Sequence, residues 1–343
     1  MEFVIWIIDS TYTGELSARY GVAKWLSKKI PVKIHIISQE SLFKMLGDRR
    51  ETLKMPKPDL LLSGTGENLI SPVLELAEYF EETLNVFLAS IVPEPLDPLL
   101  HLFDIIAAPH HPDFKGENVI TLLGVPHEIN LDTLKASRLR WESYYTKSSK
   151  PLIGVVLGGN TRYCKGFTET YATRLAEKIY DAGETMNASY VLTNSRRTPK
   201  KSLEAIRMIL KDREFAFHDW QDPGRDAYLG MLAVADLMVV TGDSLSMVTE
   251  AAVTGQPLYV TTDAEAMESC HLDSLSRFIK QGYAHPFEQF GLHTNKCKPL
   301  DPTEVIGQEI LDRFKNVVSF KKQSQKSIMS KPAYFNILSS SIT

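Results

Sequence analysis

The sequence predicts an α/β protein of two Rossmann-like domains whose parallel sheets face each other across a cleft. Short apolar runs alternate with amphipathic, helix-sized stretches almost from end to end, the pattern of strand and crossover helix that builds parallel sheets. The rhythm breaks once, at a charged stretch over residues 131–150, and then restarts. With 343 residues and 43% hydrophobic composition, the chain is long enough for two cores and far from the composition of disorder.

In the first half, Phe3–Ile8, Val32–Ile37, Leu60–Leu62, Asn85–Ala89, Ile105–Ala108 and Val119–Thr121 are short apolar runs bounded by turn residues, and each reads as a strand. Leu16, Tyr20, Ala23 and Leu26 form a helical stripe that stops before Pro31, where a proline ends a helix. Lys135, Arg138, Arg140, Glu142 and Lys147, followed by Ser148-Ser149-Lys150-Pro151, make a charged and partly helical connector. The second half continues through strands at Leu152–Leu157, Tyr190–Thr193, Glu214–Phe217, Leu237–Val240 and Leu258–Val260; residues 265–290 read as helix and then irregular chain. The expected divisions are an N-terminal domain over 1–148, a C-terminal domain over 149–320 and a tail over 321–343. From Gln323 the tail is rich in Ser and Lys, and it either stands free or packs back across the first domain.

Composition excludes several function classes. The net charge is −4 and the basic residues are scattered apart from pairs such as Lys28-Lys29 and Lys321-Lys322, so a nucleic acid partner is not expected. Cys164, Cys270 and Cys297 are odd in number, widely spaced and free of paired ligand spacing, which fits a reducing cytoplasmic compartment and argues against disulfides or structural zinc. The Phe3–Ile8 run is a buried strand rather than a signal or anchor, and no segment approaches the roughly 18 apolar residues of a transmembrane helix. Peripheral attachment to a membrane stays open, because a surface patch leaves no linear signature. Oligomeric state is not legible.

Three loops that follow strands of the second half carry the chemistry. Leu157-Gly158-Gly159-Asn160 lies between an apolar strand and a ladder of Phe167, Tyr171, Leu175 and Ile179. Strand, glycine loop and helix together form a phosphate-binding geometry, since glycines let backbone amides approach an anion and the helix end adds unpaired donors. Thr161 and Arg162 add a hydroxyl and a cation; a tight turn without ligand satisfies the same pattern. Val239 to Glu250 repeats the arrangement through Thr241, Gly242, Asp243, Ser244, Ser246 and Met247, with the helix closing at Gly255 before Pro257. Asp243 or Ser244 suits the cap, the amides of Ser246 and Met247 suit a phosphate, and Glu250 suits ribose hydroxyls. The bland alternative leaves Asp243 and Ser244 to capping and Glu250 to solvent. Asn194-Ser195-Arg196-Arg197-Thr198-Pro199 sets two guanidinium groups at the same sheet edge, either against a diphosphate or as ordinary surface cations. Trp220 and Tyr228, with Asp222-Pro223-Gly224 between them, either stack on a base or belong to the core.

The first half offers an acceptor side. Asp9 to Glu15 follows the first strand and Ser63 to Asn68 the third, placing Thr13, Gly14, Gly64 and Gly66 at the cleft. Asp9 serves either as a base or as a helix cap. His110 and His111 follow another strand, where a neutral imidazole accepts a proton. With no third ligand identifiable, neither metal nor cofactor is expected there.

These residues resemble the mitochondrial fission, or elongated-mitochondria, protein family and its bacterial relatives of unknown function. The matching segments are Asn194 to Pro199, Leu229 to Asp236, Val239 to Glu250 with Gly255-Gln256-Pro257, and Gly282-Tyr283-Ala284 with Pro286-Phe287. Thr241-Gly242-Asp243-Ser244-Leu245-Ser246-Met247 is the most specific run. The first half matches more loosely, at Asp9 to Gly14, Pro93 to Pro98 and Phe103 to His110, and it reads Ser10-Thr11-Tyr12-Thr13-Gly14 where the family usually has Gly-Lys-Pro-Gly. The family looks like two-domain type B glycosyltransferases, and its Thr-Gly-x-Ser helix start is similar to that of heptosyl and N-acetylglucosaminyl transferases. The resemblance implies a nucleoside diphosphate sugar as substrate, with Gly158, Gly159, Arg196, Ser244 and Ser246 near the diphosphate and Glu250 near the ribose. With that donor, the first expectation is a metal-independent transfer to an unidentified hydroxyl acceptor, in which His110 or Asp9, from the loops of the first half, serves as base. Two rivals are a non-catalytic adaptor in mitochondrial or membrane fission and a nucleotide-sugar epimerase on the same scaffold.

Overall fold

The computed structural model describes residues 2–66, 68–80, 82–92, 95–111, 113–147, 151–161, 163–223, 226–291 and 295–329. Arg162, Pro112, Gly224 and the tail beyond 329 lie outside the described residues. The first half runs β1 (Phe3–Ile8), α1 (Thr13–Ser27), β2 (Val32–Ile37), α2 (Gln39–Gly47), α3 (Arg49–Thr52), β3 (Leu60–Gly64), α4 (Ile70–Ala77), β4 (Leu84–Leu88), β5 (Ile105–Pro109), β6 (Val119–Leu122) and α5 (Leu131–Tyr145). The second runs β7 (Leu152–Val156), α6 (Glu169–Met186), β8 (Ser189–Thr193), α7 (Lys200–Leu210), β9 (Glu214–His218), α8 (Asp226–Val234), β10 (Leu237–Val240), α9 (Leu245–Ala252), β11 (Leu258–Val260), α10 (Ser269–Lys280), β12 (His285–Pro286) and α11 (Pro302–Met329).

Two six-stranded sheets result, in the orders β2-β1-β3-β4-β5-β6 and β12-β11-β10-β7-β8-β9, and every pairing is parallel. Helices cover both faces, so the central strands are mostly apolar; β3, β7 and β10 are buried along their whole length. This is the fold the alternating pattern predicts. β12 was not expected: it has two residues, one a proline, and pairs through Tyr259↔His285 and Val260↔Pro286.

The strand orders place the switch points. In the second sheet the chain winds outward in opposite directions from β7 and β10, which pair in register from Leu237↔Ile153 to Val240↔Val156. The loops leaving these two strands therefore emerge side by side, where ligands of open parallel sheets bind. In the first sheet the equivalent point lies between β1 and β3.

Two helices cross between the halves. Helix α5 leaves the first sheet and packs on α8: the Trp141 ring lies over Gly230, where a Cβ would stand 2.4 Å from the ring, and its indole N–H donates to Asp226 Oδ2 at 2.9 Å. Helix α11 returns to α1, with Gly307 under Trp25, Phe314 edge-on to Phe3 at 4.5 Å and Arg313 Nη1 donating to the Asp104 carbonyl at 2.7 Å. This return starts at Pro302, inside the stretch expected to belong to the C-terminal domain. One hydrophobic cluster consequently runs from Phe3 and Val22 through Leu134 and Met231 to Leu275 and Ile310.

Candidate functional site

The loops after β7, β8 and β10 converge as the strand order requires. Asn160 N–H donates to the Arg197 carbonyl at 3.1 Å, Ser195 Oγ donates to the Gly158 carbonyl at 3.0 Å, and Arg197 Nη2 lies 3.1 Å from Asp243 Oδ2. Their use of the glycines differs from the expected phosphate cradle. Gly158 N–H donates to Thr241 Oγ1 at 2.7 Å and Gly159 N–H to Asp243 Oδ2 at 2.7 Å, so both amides are already satisfied by the neighbouring loop. A Cβ on Gly158 would stand 2.1 Å from Asp243 Oδ2, and one on Gly159 would stand 2.1 Å from the Arg197 carbonyl oxygen. These glycines let three protein loops close on one another. Gly242 serves likewise: its N–H donates to Thr261 Oγ1 at 3.0 Å, and a Cβ there would meet the Thr261 carbonyl oxygen at 2.3 Å.

Asp243 is the hub of this weld and caps nothing. It is 2% exposed, and burial pushes its carboxyl pKa up against the opposing pull of Arg197 and the Gly159 amide. Its Oδ1 has no hydrogen-bond partner among the described residues. Ser244 holds the N-cap position of α9, yet no side chain caps that helix and its first turn holds no acidic residue. The positive end of α9, with Ser246 and Met247 in its first turn, is therefore left uncompensated by side chains.

That end faces the first half directly. A Cβ on Gly14 would stand 3.3 Å from Ser246 Oγ, which brings the start of α1 against the start of α9. Helix α1 also lacks a side-chain cap, although Glu15 lies in its first turn. Arg196, exposed at the tip of its loop, sets its guanidinium 5.6 Å from the centre of the Tyr12 ring across the cleft. Thr13 and Gly66 are exposed at this rim, Gly66 with φ +114. Gly64 is buried, where a Cβ would meet the Leu88 carbonyl oxygen at 2.2 Å. The halves touch, and a recess of about 40 Å³ lies elsewhere, against Lys24, Trp25, Lys28 and Asn130.

Glu250 is buried rather than solvated, 5% exposed, and accepts from the Tyr228 hydroxyl at 2.7 Å. Trp220 is 46% exposed, so it is not a core residue; its backbone N–H donates to Asn194 Oδ1 at 2.8 Å, which fixes it at the same sheet edge. Asp9 accepts from the Ser10 amide at 2.8 Å. His110 Nδ1 lies 3.6 Å from Asp273 Oδ2 of α10, facing the other half. Glu15 escaped the sequence reading: it accepts from Thr65 Oγ1 at 2.9 Å and from Ser90 Oγ, joining the starts of three loops at the first switch point. Beneath it Arg19, 1% exposed, donates to the Ile8 and Thr65 carbonyls at 2.6 and 2.9 Å. A second group that escaped is Glu268, Cys270 and His271, whose donor atoms lie within 4.8 Å of one another.

The family profile described as mitochondrial fission ELM1 matches residues 13–314. The chain belongs to this family. A mitochondrial fission protein ELM1 of Arabidopsis thaliana is 28% identical over 239 residues, covering 62% of this chain and 53% of the plant protein; the match thus spans about half of that relative. An uncharacterized protein of Rickettsia prowazekii is 24% identical, with 89% and 97% of the two chains covered. Among solved structures, the UDP-GlcNAc 2-epimerase of Methanocaldococcus jannaschii superposes with a TM-score of 0.60 at 13% identity over 92% of this chain and 100% of that one. The Neisseria meningitidis UDP-GlcNAc 2-epimerase bound to UDP-GlcNAc gives 0.54 at 14% identity, covering 91% and 100%, and MurG of Acinetobacter baumannii gives 0.50 at 13%, covering 91% and 100%. The fold of this ELM1-family chain is therefore glycosyltransferase type B-like. No helix among the described residues is long and apolar enough to cross a membrane.

Proposed function

We propose that the chain binds a nucleoside diphosphate sugar between its halves and transfers the sugar to a hydroxyl acceptor. The observation that carries this reading is the meeting of two helix N-termini without side-chain caps, α1 and α9, beside the Arg196 guanidinium. Three positive groups at one cleft suit a diphosphate. The sugar C1–O bond to the diphosphate breaks while C1 bonds to the acceptor oxygen, and the acceptor proton passes to a base of the first half, Asp9 or His110. The amides of Ser246 and Met247 and Arg196 take up the charge growing on the departing diphosphate, the task a metal ion performs elsewhere. Ser195 and Asn160 hold the Arg196 loop, Glu250 meets the ribose, and the Trp220 face meets the base. Closure excludes water, whose attack competes with transfer.

The experiment is a thermal-shift panel of nucleoside diphosphates and their sugars. A ligand at about 100 times its Kd stabilises by about 2.7 kcal/mol. At about 2.1 cal/mol/K per residue, that raises the Tm of a chain this long by about 4 °C. Arg196→Ala and Glu250→Ala lose the shift. A panel in which no nucleotide moves the Tm at millimolar concentration overturns the reading. It would favour the alternative that the touching halves and the family name support, a non-catalytic adaptor in mitochondrial or membrane fission. Product from a nucleotide sugar alone, with no acceptor added, would mark an epimerase.

A further inference from the structure

We propose that Glu268, Cys270 and His271 bind a soft divalent cation of the zinc type at the start of α10. The three residues come from one turn of chain, but their donor atoms point to a common centre. Cys270 Sγ lies 4.0 Å from Glu268 Oε2 and 3.9 Å from His271 Nδ1, and all three donors fall within 4.8 Å of one another. With bonds of about 2.0 Å to nitrogen or oxygen and about 2.3 Å to sulfur, the edges of a tetrahedral site are about 3.5 Å. The two edges at sulfur need to contract by about half an ångström, which rotation of the exposed Cys270 side chain supplies, while the edge between the Glu268 carboxylate and the His271 ring, within 4.8 Å, closes to about 3.3 Å by rotation of those two side chains.

The surroundings prepare each ligand. Glu268 occupies the N-cap position of α10 in extended conformation, φ −81 and ψ 154, but makes no side-chain cap bond. Instead Thr161 Oγ1 donates to its Oε1, turning Oε2 toward the thiol; this is the outer-shell bond that orients a ligating carboxylate. His271 is buried and holds its ring Nδ1 beside the thiol, and an imidazole nitrogen coordinates in its neutral form. A thiolate, an imidazole and a carboxylate select zinc over magnesium or calcium. The thiolate and carboxylate neutralise a 2+ charge, and binding releases the Cys270 thiol proton to solvent. Three protein ligands leave a fourth position for water or a ligand. Because Thr161 belongs to the loop after β7, the metal ties that loop to α10.

Another thiol–imidazole pair serves as the internal control. Cys297 Sγ lies 3.8 Å from His285 Nε2, but that pair gathers no third donor among the described residues.

The test titrates the full chain with Co²⁺, reduced and without nucleotide, so its outcome does not depend on the glycosyl-transfer reading. The expected result is one equivalent bound, with a sulfur-to-cobalt charge-transfer band in the near ultraviolet, intense visible bands of a four-coordinate ion, and displacement by Zn²⁺. Cys270→Ser, at an exposed position that leaves the fold intact by circular dichroism, abolishes the charge-transfer band, whereas Cys297→Ser retains it. Thr161→Val weakens binding by about 10-fold or more. No charge-transfer band in the wild type overturns the proposal. So does a band that survives Cys270→Ser and disappears with Cys297→Ser.

Discussion

Substituting Gly158 and Gly159 by alanine separates a loop weld from a ligand cradle. If these glycines exist to admit a phosphate, alanine leaves the ligand-free protein as stable as before and harms only binding. The geometry requires the opposite. At Gly159 the new Cβ lands 2.1 Å from the Arg197 carbonyl oxygen and 2.5 Å from the Thr198 nitrogen, both backbone atoms that cannot swing aside. Overpacking of this kind costs about 1–3 kcal/mol, and losing the Gly159 amide bond to the Asp243 carboxylate adds about 1.5–3 kcal/mol. A loss of about 4 kcal/mol lowers the Tm by about 5–6 °C at an unfolding entropy of about 2.1 cal/mol/K per residue. At Gly158 the obstruction is the Asp243 carboxylate itself, 2.1 Å away, so Gly158→Ala and Asp243→Ala should be strongly non-additive in a double-mutant cycle. Gly159→Ala retains its clash with the Arg197 backbone in either Asp243 background. Differential scanning calorimetry of the three single and two double variants without ligand measures all of this. An unchanged Tm for Gly159→Ala would refute the weld and return the two amides to a ligand.

Two further predictions concern pH. Burial raises the Asp243 carboxyl pKa, so the native state holds that proton more tightly than the unfolded chain; its contribution is full below the unfolded pKa and is lost as pH rises through the folded one. Asp243→Asn should therefore gain on the wild type as pH rises from about 4, measured by urea midpoints; a gap that widens with pH contradicts the assignment. His127 runs the other way: burial lowers its ring pKa against the opposing pull of Glu250 and Asp301, so its contribution is present above the unfolded value, about 6.5, and is lost as pH falls. With His218 and His271, which shift in the same direction, it is one of three such rings among the described residues, and His127→Asn should flatten but not remove the fall in Tm from neutral to mildly acidic pH. Parallel wild-type and variant curves would count against it.

The parts of this fold legible in the sequence are those that depend on burial alone. Strands covered on both faces must be apolar, so Leu237–Val240 and Leu258–Val260 fall where their runs do. His285–Pro286 carries no such run and shows itself only through its pairing with β11. The convergence of the three loops was legible too, because parallel strands release their loops at one edge. Which groups those loops bind was not. The bond from Gly159 to Asp243 joins residues 84 apart in sequence and exists because β7 and β10 are neighbours, a fact of strand order rather than composition. Glu15 likewise draws its partners Thr65 and Ser90 from the loops that follow β3 and β4. The Glu268, Cys270 and His271 group did leave a local signal, a Cys-His pair two residues after a carboxylate, but nothing in that spacing shows that the donors converge.

The touching halves and the proposed ligand bear on each other through charge. A helix N-terminus carries roughly half an elementary charge, and α9 has neither a side-chain cap nor a first-turn acid to offset it. At α1 the first-turn acid, Glu15, is drawn toward the Thr65 and Ser90 hydroxyls. Asp243, the carboxylate just ahead of α9 in sequence, is turned away toward Gly159 and Arg197. Bringing these two helix ends together beside Arg196 is thus electrostatically unfavourable, while parting them is not. An anion between them reverses the sign and binds the closed arrangement more tightly than the open one, and only such a difference in affinity drives a conformational equilibrium. A diphosphate that binds in this cleft should therefore register as closure, a smaller radius of gyration by X-ray scattering. Arg196→Ala, by removing one of the three positive groups, should reduce both the repulsion and the response.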